Sequence, residues 1–237
     1  MLIFFDVETT GLEAKDRLCA VGMLCADKNE LTLHSELIKP SKKIAPEAMA
    51  VHHITNEMLK TKKSFEESAI KKVLDSFNNV EHTLVGHNIA FDIEMLSREG
   101  FIWKGGVIDT LKCSRHLIEE IDYFSLQYLR YELGLYKQDT EAEALGIELV
   151  AHTPLSDAFH VKLLFEYLLE HSSLDDLERL SVEPALIKKL TFGKYKDRFL
   201  EEVAMGDRGY LEWMLGSMGD MDADLRYSIE YYLGEVS

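Results

Sequence analysis

The sequence predicts an α/β fold, and three observations predict it. Three apolar runs near the N-terminus read as strands of an antiparallel meander. After Ser64, short apolar strands alternate with amphipathic helical patterns as far as His171. The length, 237 residues, suits one such domain plus a small appendage.

The first strand organises the rest. Leu2-Ile3-Phe4-Phe5 and Val7 are apolar, and Gly11 supplies the turn signal after them. Strand side chains alternate faces, so Asp6 and Glu8 point the same way. Neighbouring carboxylates repel, and burying an unpaired charge is costly. A cation between them answers both problems, and oxygen ligands suit Mg²⁺ or Mn²⁺. A solvated strand end with two unengaged acids is the alternative.

Residues 18–25 and 31–38 are the next two strands, with Ala26-Asp27-Lys28-Asn29-Glu30 as the turn between them. Residues 40–46 form a loop whose Lys42 and Lys43 read as solubilising surface charge. Ser64 caps a helix over 65–78, with Glu67 completing a capping box and Ile70, Val73, Leu74 and Phe77 as the apolar stripe. A short strand at 83–85 leads to His87 and Asn88. The helix that follows, 90–99, ends at Gly100 and carries Asp92 in its first turn, where a carboxylate suits the helix dipole. Another strand at 107–108 precedes a helix started by Asp109 or Thr110. Residues 125–133 form a helix closed by Gly134. Residues 136–150 are acidic and lack clear periodicity, with one or two helical turns at 140–145. Pro154 opens a long helix to about His171, with His152 and Asp157 near its start. Two short helical patterns follow, 174–180 and 183–190.

The composition, 46% hydrophobic and 29% charged, is that of a soluble globular protein. No apolar run approaches a membrane span, and the N-terminus reads as a strand rather than a signal peptide. Cys19 and Cys25 share a strand, roughly 20 Å apart, too far to bond. With Cys113 they read as reduced thiols of a cytoplasmic protein. The net charge of −16 argues against a protein that coats long duplexes. It says little against an enzyme that grips only a strand end, because bound cations offset local carboxylate charge.

Five motifs in order carry a family resemblance. Asp6-Val7-Glu8-Thr9-Thr10-Gly11 opens the chain. Val51-His52-His53-Ile54-Thr55 follows, with His53 where a glycine is usual. His87-Asn88-Ile89-Ala90-Phe91-Asp92 comes next, then Asp109-Thr110-Leu111 with Ser125-Leu126 and Leu129, and finally His152 five residues before Asp157. Over about residues 1–170 the sequence resembles the DEDDh-type 3′–5′ exonucleases. Residues 190–233 are similar to the small C-terminal module of exonuclease X-like proteins. The tyrosine-type sister family is excluded, because Thr153 stands where its tyrosine would be.

The resemblance implies a ribonuclease-H-like exonuclease fold, a mixed central sheet flanked by helices. It divides the chain into an exonuclease domain at 1–172, a junction at 173–189 and the module at 190–237. Asp6, Glu8 and Asp157 would hold one divalent cation, Mg²⁺ or Mn²⁺, beside the attacking water. Asp6 with Asp92 would hold a second beside the departing 3′ oxygen. His152 would accept the proton from water. Thr9, Thr10, Gly11 and Leu12 would contact the terminal nucleotide. Asn88 contacts substrate or holds the strand–helix turn. Phe91 stacks on a base or packs inside, the commoner fate of a helix aromatic. His52 and His53 are candidate phosphate neighbours.

The activity implied is release of nucleoside 5′-monophosphates from DNA 3′ ends, with RNA-end trimming and a non-catalytic nucleic-acid-binding module as alternatives. Implied partners are nucleic-acid 3′ ends, single-stranded DNA first, and proteins of DNA repair or replication. In the tail, Lys188, Lys189, Lys194, Lys196 and Arg198 read as phosphate contacts. Phe192, Tyr195, Phe199, Tyr210 and Trp213 are expected to fill the module's core. Asp220-Met221-Asp222-Ala223-Asp224 imitates a calcium loop but lacks its glycine and terminal glutamate, so these acids read as a helix start.

Overall fold

The structure is a computed structural model that describes residues 1–27, 30–118, 121–219 and 221–235. The turn expected through Lys28 and Asn29 lies outside the described residues, as does Asp220. The sheet has five strands: β1 (Leu2–Thr9), β2 (Leu18–Asp27), β3 (Glu30–Leu37), β4 (Thr83–Gly86) and β5 (Gly106–Asp109). Their order is β3-β2-β1-β4-β5. The first three pair antiparallel, and β4 and β5 run parallel to β1, so the sheet is mixed as expected. β2 is apolar and buried along most of its length, as a strand covered on both faces must be. β3 alternates polar and apolar residues, which suits an edge.

The helices are α1 (Pro46–His52), α2 (Asn56–Leu59), α3 (Ala69–Phe77), α4 (Ile89–Arg98), α5 (Thr110–Leu117) and α6 (Leu126–Glu132). After a 3₁₀ turn at Leu135–Gln138 come α7 (Asp139–Ala144), α8 (Pro154–His171), α9 (Leu174–Leu180), α10 (Leu200–Gly206), α11 (Arg208–Ser217) and α12 (Ala223–Glu235). The alternation along β1 sorts the core. Ile3, Phe5 and Val7 pack with Ile70 and Leu74 of α3 and with Met95 and Leu96 of α4. Phe4 faces the other way, onto α8, and its ring meets Phe165 edge-on at 5.5 Å. Asp6 and Glu8 share the face of Phe4, so they look toward α8.

Two helical expectations are corrected. The helix expected at 65–78 starts at Ala69, capped by Ser68, whose hydroxyl accepts from Lys71 N at 3.1 Å. Phe65 is buried in the α3–α4 cluster, and the Ile70 amide donates to Glu36 at 2.9 Å, which fixes the later start. Ser64 and Glu67 close a turn instead: the Ser64 hydroxyl donates to Glu67 Oε2 at 3.0 Å and the Glu67 amide to the Ser64 carbonyl at 3.2 Å. The pattern at 183–190 is not a helix. Its amides point outward instead: Ala185 N donates to Asp224, Ile187 N to Ser228 and Leu190 N to the Arg198 carbonyl.

The C-terminal helices enclose a separate apolar cluster of Leu190, Leu200, Val203, Ala204, Leu211, Met214, Leu225, Ile229 and Leu233. Of the aromatics expected there, Tyr195 and Tyr210 pack partly buried against it, whereas Phe192, Phe199 and Trp213 are 41%, 44% and 56% exposed. Aliphatic side chains from three short helices fill the space. The cations are also partly engaged. Lys189 pairs with Asp122, Lys194 with Asp207 and Arg198 with Glu202. Lys188 and Lys196 have no ion pair among the described residues. Asp224, 1% exposed, ties this cluster to the main body through Arg115 at 2.6 Å. Asp222 accepts the Asp224 and Leu225 amides, as an acid at a helix start does.

Candidate active site

The site forms where β1 outruns β4. The parallel pairing of β1 with β4 extends only from Leu2 to Phe4. Beyond it the Val7 amide donates to Asp92 Oδ1 at 3.1 Å, so the α4 carboxylate takes the place of a missing strand. Asp92 reaches that position because Asn88, just before α4, turns the chain with φ 64 and ψ 44. Asparagine tolerates that left-handed conformation better than most residues. The Asn88 amide donates to Asp109 Oδ1 at 3.0 Å, and the same oxygen caps α5 through Leu111 N at 2.9 Å. Asn88 sits in the strand–helix turn, and its side chain is exposed and makes no cap hydrogen bond to α4.

The other wall is the start of α8. Gly22 pairs with Asp6 across β1 and β2. A Cβ at Gly22 would lie 2.3 Å from the Pro154 carbonyl carbon and 2.4 Å from Leu155 N. The bare glycine therefore lets α8 press its first turn against the sheet beside Asp6. One turn on, Asp157 is buried against the cluster. His152 lies in the preceding turn, exposed, with φ 60. Ligand atoms of Glu8, His152 and Asp157 all lie within 4.8 Å of one another.

The electrostatics follow from this crowding. Burial lifts the Asp6 carboxyl well above its ordinary range, and Asp92, Asp157 and Glu8 push it further. Burial, then Asp157 and Asp92, raise Glu8 to about 8. Burial also raises Asp92, against the amide of Val7. Among the described residues no lysine or arginine pairs with any of the four acids. Oxygen donors with one imidazole and an uncompensated negative charge fit a hard divalent cation.

The residues expected to contact the terminal nucleotide follow the acids of β1 directly. Thr9 and Thr10 are buried, and Leu12, 82% exposed, stands out from the surface. Thr9 Oγ1 donates to the Gly11 carbonyl at 2.8 Å, and Thr10 Oγ1 to Asp16 Oδ1 at 2.6 Å. Asp16, which sequence reasoning passed over, also accepts from Glu13 N and from Lys42. Lys42 is thus a loop anchor rather than surface charge. A Cβ at Gly11 would meet Asp16 Oδ2 at 2.7 Å, so the glycine lets that anchor approach.

Phe91 is half-buried against the α3–α4 cluster. His52 is buried with both nitrogens engaged: Nδ1 accepts from Ile54 N at 3.0 Å, which leaves Nε2 to donate to the Thr9 carbonyl at 3.1 Å. It supports the loop and is not free for phosphate. His53 has φ 60 at the end of α1, the conformation glycine adopts freely, which explains the glycine expected there. Gln127 was also missed; its Nε2 donates to Asp157 Oδ1 at 2.9 Å. Only the packing of α6 on α8 reveals that contact.

A mixed sheet with four converging acids and an adjacent histidine defines a DEDDh-type 3′–5′ exonuclease, dependent on divalent metal. Residues 3–165 match the exonuclease family, and the chain belongs to it. Residues 190–216 match the exodeoxyribonuclease X-like C-terminal family. Exodeoxyribonuclease 10 of Escherichia coli K12 is 28% identical over 236 residues, 98% of this chain and 99% of that protein. DNA polymerase III subunit epsilon of Treponema pallidum is 34% identical over 141 residues, 55% of this chain and 64% of the relative. Exonuclease X in complex with 5′ overhanging duplex DNA superposes with a TM-score of 0.58. It is 23% identical and covers 76% of this chain and 99% of that one. Escherichia coli exonuclease I bound to a dA16 oligonucleotide gives 0.54 at 21% identity, over 76% and 41%.

Proposed function

We propose that the chain releases nucleoside 5′-monophosphates from DNA 3′ ends, single strands first. The observation that carries this is the meeting of Asp6, Glu8, Asp92, Asp157 and His152 at one end of β1. Near-full-length similarity to an exodeoxyribonuclease supports DNA as the substrate.

Asp6, Glu8 and Asp157 would hold one cation, and Asp6 with Asp92 a second, with Mg²⁺ or Mn²⁺ suited to oxygen ligands. When bound, these cations supply positive charge beside the attacking water and the departing 3′ oxygen. His152 accepts the proton that the water loses as its oxygen bonds to phosphorus and the bond to the 3′ oxygen breaks. Its exposed turn position lets it reach water without desolvation, and its ring lies beside Glu8 and Asp157. Thr9, Thr10, Gly11 and Leu12 seat the terminal nucleotide, with Leu12 against the base. Residues 1–172 form the exonuclease unit and 190–237 the module, joined by 173–189. Three buried free cysteines suit the reducing cytoplasm. No described helix is long and apolar enough to cross a membrane.

The test offers 3′- and 5′-labelled DNA and RNA oligonucleotides with Mg²⁺, Mn²⁺ or chelator. A metal-dependent ladder shortening from the 3′ end of DNA is expected. Faster loss of RNA would move the assignment to RNA-end trimming. Binding without hydrolysis in either metal would sink the catalytic reading.

A further inference from the structure

Behind Asp157, five polar side chains close a circuit. Gln127 Nε2 donates to Asp157 Oδ1 at 2.9 Å, and Arg130 Nη1 donates to Gln127 Oε1 at 3.3 Å. Arg130 Nη2 binds Asp139 Oδ2. Asp139 Oδ1 lies 3.8 Å from His160 Nε2, and His160 Nδ1 lies 3.8 Å from Asp157 Oδ1. The circuit spans α6, α7 and α8.

His160 is the anomaly in it. It is 1% exposed, yet neither ring nitrogen has a hydrogen-bond partner. Its neighbours Phe159, Val161 and Leu164 are apolar and fully buried. A leucine would fill such a place without burying two polar atoms, which native cores rarely leave unpaired. His160 follows Asp157 by three residues, so both project from the same face of α8.

The donor on Asp157 is also informative. Gln127 is neutral, so it orients the carboxylate without cancelling the charge a metal needs. The one permanent cation in the circuit, Arg130, is held one residue further back by Asp139. A free aspartate rotates easily about its last torsion, and the other three acids repel this one.

We propose that Gln127 and His160 are positioning residues for Asp157, fixing the rotation of its carboxylate for metal binding, and that Arg130 and Asp139 hold those two in place. The proposal rests on the reading of Asp157 as a metal ligand. Partners that orient a ligand typically contribute about 10–100-fold in metal affinity.

The test titrates Mn²⁺ into the full chain without nucleic acid, following free Mn²⁺ by electron paramagnetic resonance. Gln127→Leu and His160→Leu are expected to weaken Mn²⁺ binding by roughly 10–100-fold. On a dinucleotide they should lower kcat more than they raise KM. His160→Gln, which restores an N–H toward Asp157, should recover most of the affinity. Wild-type Mn²⁺ affinity in both leucine variants, with native near-ultraviolet circular dichroism, would overturn the proposal. If the leucine variants lose that native signal, Gln127→Met and Asp139→Asn decide by the same criterion. Asp157→Asn is the control. If it binds Mn²⁺ as tightly as wild type, the metal reading falls and this proposal with it.

Discussion

Replacing Gly22 by alanine tests how the fold builds the site. The new Cβ would lie 2.3 Å from the Pro154 carbonyl carbon, 2.4 Å from Leu155 N and 2.6 Å from the Pro154 oxygen. These are backbone atoms in the first turn of α8, so no side chain can swing away. Ordinary contact begins near 3.4 Å, so the helix start must retreat by about 1 Å. Overpacking of this kind costs about 1–3 kcal/mol. For a chain of this size each kcal/mol lowers Tm by about 2–4 °C. The retreat carries Asp157 and His152 away from Asp6 and Glu8, and a misplacement of about 1 Å costs on the order of 100-fold in rate. The assay is thermal melting by circular dichroism alongside kcat on a short oligonucleotide with Mg²⁺. Gly216→Ala in α11 is the control: nothing lies within 4 Å of its Cβ, so it should stabilise slightly or do nothing. A Gly22→Ala protein with wild-type Tm and wild-type kcat would refute the argument that this glycine seats α8.

Four further outcomes are expected. His152→Ala should lower kcat by about 100-fold or more and leave Mn²⁺ affinity nearly unchanged, as loss of a positioned base does; loss of Mn²⁺ binding would make His152 a ligand instead. Asp224→Ala should cost about 1–3 kcal/mol by leaving the buried Ala185 amide without its acceptor, while Arg115 keeps Asp222, read as a lower denaturant midpoint; an unchanged midpoint would show that the tie is dispensable. In chelator, Tm should fall as pH rises from about 6.5 to 8, and divalent cation should reverse the fall. The sign follows from Glu8: its folded value, about 8, exceeds the ordinary 4.5, so its contribution is full below 4.5 and lost as pH rises through 8. Asp6 and Asp92 shift the same way, whereas His87, pushed down to about 4 by burial, loses stability as pH falls from 6.5 toward 4. A Tm flat between about pH 6.5 and 8 in chelator would contradict the crowding argument. Changing Lys188 and Lys196 to glutamine should reduce the salt slope of single-strand binding by about 1.4 if each meets a phosphate, and an unchanged slope would place the strand elsewhere.

The sheet was legible because its signal is local. Alternation in β1 and the apolar run of β2 need no partner to be recognised. Elements set by tertiary partners were not legible in the same way. Pro46–His52 carries no apolar periodicity and buries only His52, so α1 was missed. Residues 183–190 have helix-like apolar spacing, but Asp224 and Ser228 of α12 offer their amides better acceptors. The module's aromatics misled for a related reason. Ring size suggested burial, yet Leu200, Leu211, Ile229 and their neighbours already fill the space between three short helices.

The site was legible in its acids and opaque in what surrounds them. Asp6 and Glu8 share a face by strand geometry alone, but no pattern marks Gly22, Gln127 or His160 until α6 and α8 lie against the sheet. The arrangement they complete has a common logic. The nearby arginines are each engaged elsewhere: Arg130 by Asp139, Arg115 by Asp222 and Asp224, Arg98 by Glu94. The donors that reach the four acids are neutral, the Val7 amide on Asp92 and the Gln127 amide on Asp157. A guanidinium in either place would lower the carboxylate pKa values and compete with metal for the same oxygens. By orienting the acids with amides and keeping fixed cations a residue away, the fold leaves the cluster's negative charge uncompensated by side chains, the condition under which a divalent ion would be drawn to it.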